Sequence, residues 1–476
     1  MNVKFNKDDG RTGRFFVSVA FGLLITLALV SVSFAGAAQA PDDATRFFQR
    51  DEQICRDIEK ITGLAFTNKV KMAVQLPEAF RSYVKESIVR EYGEGGIEGY
   101  TRALVKLGAL ERPMDLSATL LDLMASQALA HYDPGKKTFF LLQTNMPATL
   151  LDPTAAHELC HALQDQRHDL YKFVDEDIEQ IRDNGDAAMA KESLVEGEAM
   201  YVMALWMMVQ TIGDDQGMAE DMVKVAMETE ASMSFNQLME LSEMQIGTAP
   251  GAAPMLASIK DMRNAPRFIM EPLLAVYIQG GLMVAQVKVK GGWKAVEDLF
   301  DHPPRSSKEV LHPEKLGGPD KPIDVRLPEL KRQLANDWRL VNQDVMGEMG
   351  IRVFFEIWLK DEEKKEACSI AKSAAAGWGG DRYYYFENKD SGKDLLVWQT
   401  VWDTAEGAGE FAVAYRMALT ARFPNLKKSS RSDEKNLWKY QIWEVEPGRF
   451  LKLATSDKTV VILDTTDKTL LDSMWK

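Results

Sequence analysis

The chain has 476 residues, with 46% hydrophobic and 27% charged residues, the make-up of a globular protein of roughly two or three domains. A formal charge of −14 at pH 7, with no basic patch interleaved with aromatics, argues against nucleic acid as the main partner. Three cysteines, Cys55, Cys160 and Cys368, are too few for a disulfide framework.

Lys4, Lys7, Arg11 and Arg14 precede an apolar run from Phe15 to Phe34, and small residues follow up to Ala40. This pattern predicts a signal peptide over residues 1–37. The competing reading is an uncleaved anchor, since the run is near the roughly 20 residues that span a bilayer. Either way the rest of the chain is expected outside the cytoplasm, with the membrane touched only through this segment.

Apolar residues recur at helical spacing from Asp43 to Ile61, and Gly63 can end that helix. Val70, Met72, Val74 and Leu76 alternate with polar residues as a strand closed by Pro77. Helices are predicted over 77–92, 97–107 with Gly108 as the stop, and 116–130. Asp133-Pro134-Gly135 is turn chemistry, and Thr138 to Leu142 is rich in β-formers. That strand is expected to be a sheet edge able to take an extended peptide.

His157-Glu158-Leu159-Cys160-His161 follows, on a helix expected to start near Asp152 and Pro153. Positions i and i+4 of a helix lie one turn apart on one face, so both imidazoles can reach one ion. Glu158 between them can act as base. This is the H-E-x-x-H logic of zinc hydrolases, and Zn²⁺ is the cofactor it implies. Six histidines occur in all, and two of them take this spacing. Cys160 is read as a small buried hydrophobe.

A long helix is expected over 187–210, carrying Glu192, Glu196 and Glu198. Glu196 sits between Val195 and Ala199, where a lone carboxylate is costly unless it meets a cation. It is therefore the candidate third ligand, with Glu192 as rival and Glu198 expected on an exposed acidic face. Gly197 permits close approach of another backbone, as does Gly280-Gly281 in a helix predicted over 271–290. The methionines of 200–208 are read as core filling. Residues 247–254 and 303–319 read as loops, and 330–359 as a helical stretch. Strands follow at 383–387, 395–402, 438–445, 450–454 and 460–463, with helices at 405–423 and 470–475.

Tyr132-Asp133-Pro134, the run His157 to Gln166, Val195 to Ala199, and Ser307 to Lys315 together carry a resemblance. The chain resembles the gluzincin class of metallopeptidases, within it a group of secreted or surface enzymes. The likeness spans roughly residues 45 to 320, with weaker echoes at 377–383 and 401–403. It implies an α+β fold. A mainly helical zincin-like metallopeptidase domain with a small N-terminal-lobe sheet would span 38–345. Separately from the resemblance, the run of strands and helices in the last hundred residues reads as a C-terminal α+β module over 346–476. The resemblance further implies His157, His161 and Glu196 as zinc ligands and Glu158 as general base. His312 is the first choice to stabilise the oxyanion, ahead of Tyr132, Tyr201 and Tyr277. The thermolysin-like pattern would make Glu192 the ligand and place Asp at 196, where Glu stands, so that alternative stays open.

The expected activity is hydrolysis of peptide bonds in a peptide or protein substrate. A zinc-activated water would attack, with Glu158 moving the proton. The alternative is a non-catalytic envelope protein with a structural zinc, its fourth position closed by Cys160 or Glu192, or with a binding role in the C-terminal module.

Overall fold

The computed structural model describes residues 43–143, 151–175, 183–213, 216–247, 253–327, 330, 334, 336–359, 366–426, 431–435 and 438–474. The expected signal peptide therefore lies outside the described residues, as do 248–252 of the expected loop. The side chain of Cys368 is outside them too, while Cys55 and Cys160 are free thiols.

Helix α1 (Asp43–Thr62) buries Ile54, Ile58 and Ile61 along one stripe and ends at Gly63, whose φ of 71° is the left-handed region. Strand β1 (Lys71–Gln75) leads into α2 (Pro77–Tyr92), with Pro77 in its first turn. Then come α3 (Gly96–Leu107), closed by left-handed Gly108, and α4 (Leu116–Gln127), capped by the Asp115 carboxylate. Two strands follow, β2 (Ala130–Asp133) and β3 (Thr138–Leu142).

The three strands form a sheet in the order β1-β3-β2, with β1 parallel and β2 antiparallel to β3. This corrects the reading of β3 as an edge: both of its sides are paired, and the edge on this side is β2. Strand β2 is not among the expected strands: Ala130 is expected to end a helix and Asp133 to open the turn, but the helix stops at Gln127 and the turn begins only at Pro134. A four-residue strand with every position buried has no alternation by which to recognise it.

Helices α5 (Leu151–His168) and α6 (Leu170–Asp175) precede the long buried helix α7 (Gly185–Ile212), capped by the Asn184 side chain. Helices α8 (Gln216–Ser232), α9 (Phe235–Ile246), α10 (Ala253–Asn264) and α11 (Arg267–Asp301) complete this part. The Met stripe of α7 is core: Met200, Met203 and Met208 are buried in one large apolar cluster with α1, α5 and α11.

Helix α11 is long and apolar enough to cross a membrane, but 67% of its most apolar stretch is buried. It lies along α7, and the two backbones approach most closely at Gly197 and Gly280. A Cβ added to Gly197 would lie 2.2 Å from the Gly280 carbonyl carbon. Residues 303–319, expected to be irregular, contain a short helix α12 (Ser307–Leu311) and one 3-10 turn (Pro313–Lys315).

A second sheet has seven strands in the order β4-β5-β6-β10-β9-β8-β7, every adjacent pair antiparallel. They are β4 (Trp338–Asp344), β5 (Trp378–Asn388), β6 (Asp394–Trp402), β7 (Arg431–Lys435), β8 (Trp438–Glu446), β9 (Arg449–Ser456) and β10 (Thr459–Thr465). Helices α13 (Gly347–Trp358), α14 (Glu366–Ala375) and α15 (Ala405–Arg422) accompany the sheet, and α16 (Lys468–Ser473) closes the chain.

Alternation sets the two faces. Leu396 and Trp398 point into a core shared with α13 and α15, whereas Leu395 and Val397 point to the opposite side, where Leu471 and Met474 pack. The fold is thus mixed α+β. Two expectations change. Residues 338–344 form a strand rather than helix, because pairing with β5 outweighs the modest helix propensity of Leu340, Asn342 and Gln343. The sheet accordingly takes in residues ahead of the expected boundary at 346. Leu104, Leu107 and Leu110 from the α3 end, and Phe268 from α11, lie in the same core as Trp398 and Phe411.

Candidate metal centre

Helix α5 presents His157 and His161 one turn apart, and α7 brings Glu196 up to them. His157 Nε2 lies 3.1 Å from His161 Nε2 and 3.1 Å from Glu196 Oε2, and His161 Nε2 lies 3.4 Å from that oxygen. All three side chains are buried. Donor atoms bonded to one ion at about 2.0–2.1 Å with tetrahedral angles stand about 3.3 Å apart, so the three could share one metal ion. Neither Glu192 nor Cys160 joins the group, and no fourth protein donor does among the described residues.

Electrostatics hold the trio together. Burial alone would raise the Glu196 carboxyl, but His161 and His157 win and hold it below the usual carboxylate range. Burial likewise disfavours a charged His161, yet the Glu196 charge outweighs it and lifts the imidazole to about 9. His157 is pushed down by burial.

His161 is oriented from behind. Its Nδ1 lies 2.9 Å from Gln164 Oε1, and Gln164 Nε2 donates to Val195 O at 2.9 Å and to Glu198 Oε2 at 2.8 Å. With the Gln164 amide so fixed, Nδ1–H is the donor and the Nε2 lone pair faces the trio. This corrects the reading of Glu198 as exposed: it is 2% exposed and anchors the amide that aims His161. Gln164 sits three residues after His161 on the same helix, so i,i+3 spacing is the signal that could have found it. His157 Nδ1 has no such partner among the described residues.

Glu158 is fully buried. Its Oε2 accepts the Tyr132 backbone N–H of strand β2 at 2.7 Å, while Oε1 has no partner among the described residues. Burial pushes this carboxyl up to about 8, against the pull of His161 and of the Tyr132 N–H. The rest of the motif fixes the frame. Asp165 accepts the Tyr132 hydroxyl at 2.8 Å and the Leu170 N–H at 2.9 Å, and Gln166 Oε1 accepts the N–H groups of Thr67 and Asn68.

The structure does not bring His312 to the trio. Its Nε2 lies 2.8 Å from Glu348 Oε1 on α13, and that hydrogen bond raises its pKa. Of the other oxyanion candidates, Tyr201 packs on Trp293, the Tyr132 hydroxyl is taken by Asp165, and Tyr277 of α11 stands beside His157 with ring centroids 6.2 Å apart. His168 stacks on Phe300 and faces Glu297, away from the trio. Glu192 borders a cavity one turn before Glu196.

The segments at 307–315, 377–383 and 401–403 meet at a joint between the two parts of the chain. Lys308 Nζ donates to Trp378 O and Asp403 Oδ2, both at 2.7 Å. Asp381 accepts the N–H groups of Met346 and Gly347 and both indoles of Trp378 and Trp398.

Comparison with known families finds that the one described as "Domain of unknown function (DUF8575)" matches residues 335–475. That stretch holds the seven-stranded sheet and none of the trio. No curated protein and no solved structure matches the chain.

Proposed function

We propose that the chain is an extracytoplasmic zinc-dependent peptidase in which His157, His161 and Glu196 hold the metal and Glu158 is the general base. One observation carries the reading. Three donor atoms from two helices converge at 3.1 to 3.4 Å in a buried site beside a carboxylate whose Oε1 is unpartnered. Two neutral imidazoles and one carboxylate form a donor set suited to Zn²⁺, and three protein ligands leave a position for substrate or water. A structural zinc would call for a fourth protein ligand, and the described residues offer none. The N-terminal run of Lys and Arg before Phe15 to Phe34 supports export.

When bound, Zn²⁺ supplies Lewis acidity and lowers the pKa of a water toward about 7. The protein supplies the proton path. Tyr132 N–H pins Glu158 Oε2, so the carboxylate is oriented and Oε1 is left to take the proton of the attacking water and pass it to the leaving amine. Burial raises this carboxyl above the usual carboxylate range, which makes its ionised form a stronger base. Tyr277, beside His157, replaces His312 as the candidate to hold the developing oxyanion.

The test compares wild type with Glu158→Gln, both as full chains loaded with zinc, against a peptide library read by mass spectrometry. The reading predicts equal zinc and a loss of cleavage by about a thousandfold or more in the variant. Equal cleavage by both proteins would overturn the role of Glu158.

A further inference from the structure

One turn before Glu196, on the same face of α7, Glu192 borders a cavity of about 150 Å³ formed between α2, α3, α4, α7, α11 and the start of the second sheet. Its walls are largely apolar and include Leu104, Leu120, Phe268, Leu273 and Val276. Four carboxylates line it, Glu91, Asp186, Glu192 and Asp344, and no lysine, arginine or histidine does. Asp186 accepts the Ser307 N–H and Asp344 the Gly185 N–H. Glu192 makes no hydrogen bond or ion pair with any described residue. It keeps some accessible surface although protein surrounds it, so that surface is cavity wall.

A carboxylate in such a place is costly until a cation meets it. The walls suit a hydrocarbon stem and the acids suit a positive end, the two parts of a lysine side chain. The volume is about five times the ~30 Å³ that one water takes in the liquid, room for about five heavy atoms, as lysine has. An acidic side chain would meet four carboxyl groups and no cation, and a neutral aliphatic one would leave Glu192 unpaired. Glu192 lies one helical turn from Glu196 and Val276 precedes Tyr277, so the cavity begins about one turn of α7 from the trio, whose own side chains do not line it.

We infer that this cavity binds a lysine side chain and is the specificity pocket for a lysine next to the bond to be cleaved. The second half of that statement rests on the peptidase reading. Three methionines, Met124, Met189 and Met346, line the cavity and report on it without any need for activity. The full chain, labelled with carbon-13 at the methionine methyl groups, is titrated with Nα-acetyl-lysine methylamide and with its norleucine counterpart.

The inference predicts shifts at those three methyl groups, about tenfold tighter binding of the lysine compound, and loss of that difference in Glu192→Gln. Equal affinity for the two compounds, or no shift at the three methyl groups, would overturn it. If Glu192→Gln fails to fold, the comparison of the two compounds on wild type decides alone. Peptide cleavage with no preference for lysine over norleucine would sink the pocket and leave the peptidase reading standing. Lysine binding in a zinc-loaded chain that cleaves no lysine peptide would support the pocket and sink the peptidase reading.

Discussion

Replacing Gly197 with alanine puts one methyl group where α7 crosses α11, one residue after Glu196. The new Cβ would lie 2.2 Å from the Gly280 carbonyl carbon, 2.5 Å from its oxygen and 2.7 Å from its Cα. Ordinary contact begins at 3.4 Å, so the two helices must part by about 1.2 Å, and the obstacle is backbone with no rotamer to yield. Overpacking of this kind costs about 1–3 kcal/mol, and a gap near 1 Å along the crossing forfeits a quarter to a half of each dispersion contact there. Better helix propensity returns about 1 kcal/mol. The net expectation from these two terms is a loss of up to about 2 kcal/mol, to which the weakened dispersion along the crossing adds.

The shift also carries Glu196 away from the histidines, and ligand distances tolerate only about ±0.2 Å, so zinc affinity should fall by about tenfold or more. Gly409→Ala is the control. It lies mid-helix in α15 with nothing within 4 Å of an added Cβ, and should gain about 0.5–1 kcal/mol. Urea unfolding of the metal-free chain and chelator competition for zinc read both effects. A Gly197→Ala protein that unfolds at the wild-type urea concentration and binds zinc within about twofold of wild type would refute the close crossing.

Two further outcomes follow from the packing around the site. Gln164→Leu removes the acceptor for His161 Nδ1 and the partner of Glu198, so zinc affinity measured by chelator competition should drop by about 10–100-fold. Glu230 is buried with Oε1 unpartnered, and burial pushes its carboxyl up to about 8. The folded chain then holds a proton that the unfolded chain releases near 4.5, so this group's share of stability is full below that pH and is lost as pH rises toward 8. Glu230→Gln should flatten that decline in urea midpoints between pH 5 and 9, and parallel curves for both proteins would contradict it.

Local chemistry made part of the fold legible. Thr138 to Leu142 forms a strand because its β-formers lie between a Pro-Gly turn and a helix start, and α3 stops at Gly108 because that residue takes φ of 88°. His157, Glu158 and His161 were legible as a unit because helical geometry alone sets their spacing. Glu196 and Gly197 were legible because each is out of place in an apolar helix without a partner.

What stayed hidden depends on segments far apart in the chain. Strand β4 exists through its pairing with β5, about forty residues later. Glu198 looked like a surface acid because its partner, Gln164, comes from another helix. His312 is an expected site residue, yet Glu348 claims its ring through the docking of α13. Tyr277 comes to His157 only through the α7–α11 crossing that Gly197 and Gly280 permit.

The most direct test is the metal itself. Full-length protein purified without chelator, then analysed for metal content and by zinc-edge X-ray absorption, should hold one zinc per chain with two imidazole nitrogens and an oxygen donor near 2.0–2.1 Å. Zinc should be lost in Glu196→Ala and retained in Glu192→Gln. A folded chain that takes up no zinc, or one whose zinc is untouched by Glu196→Ala and by His157→Ala, would contradict the account.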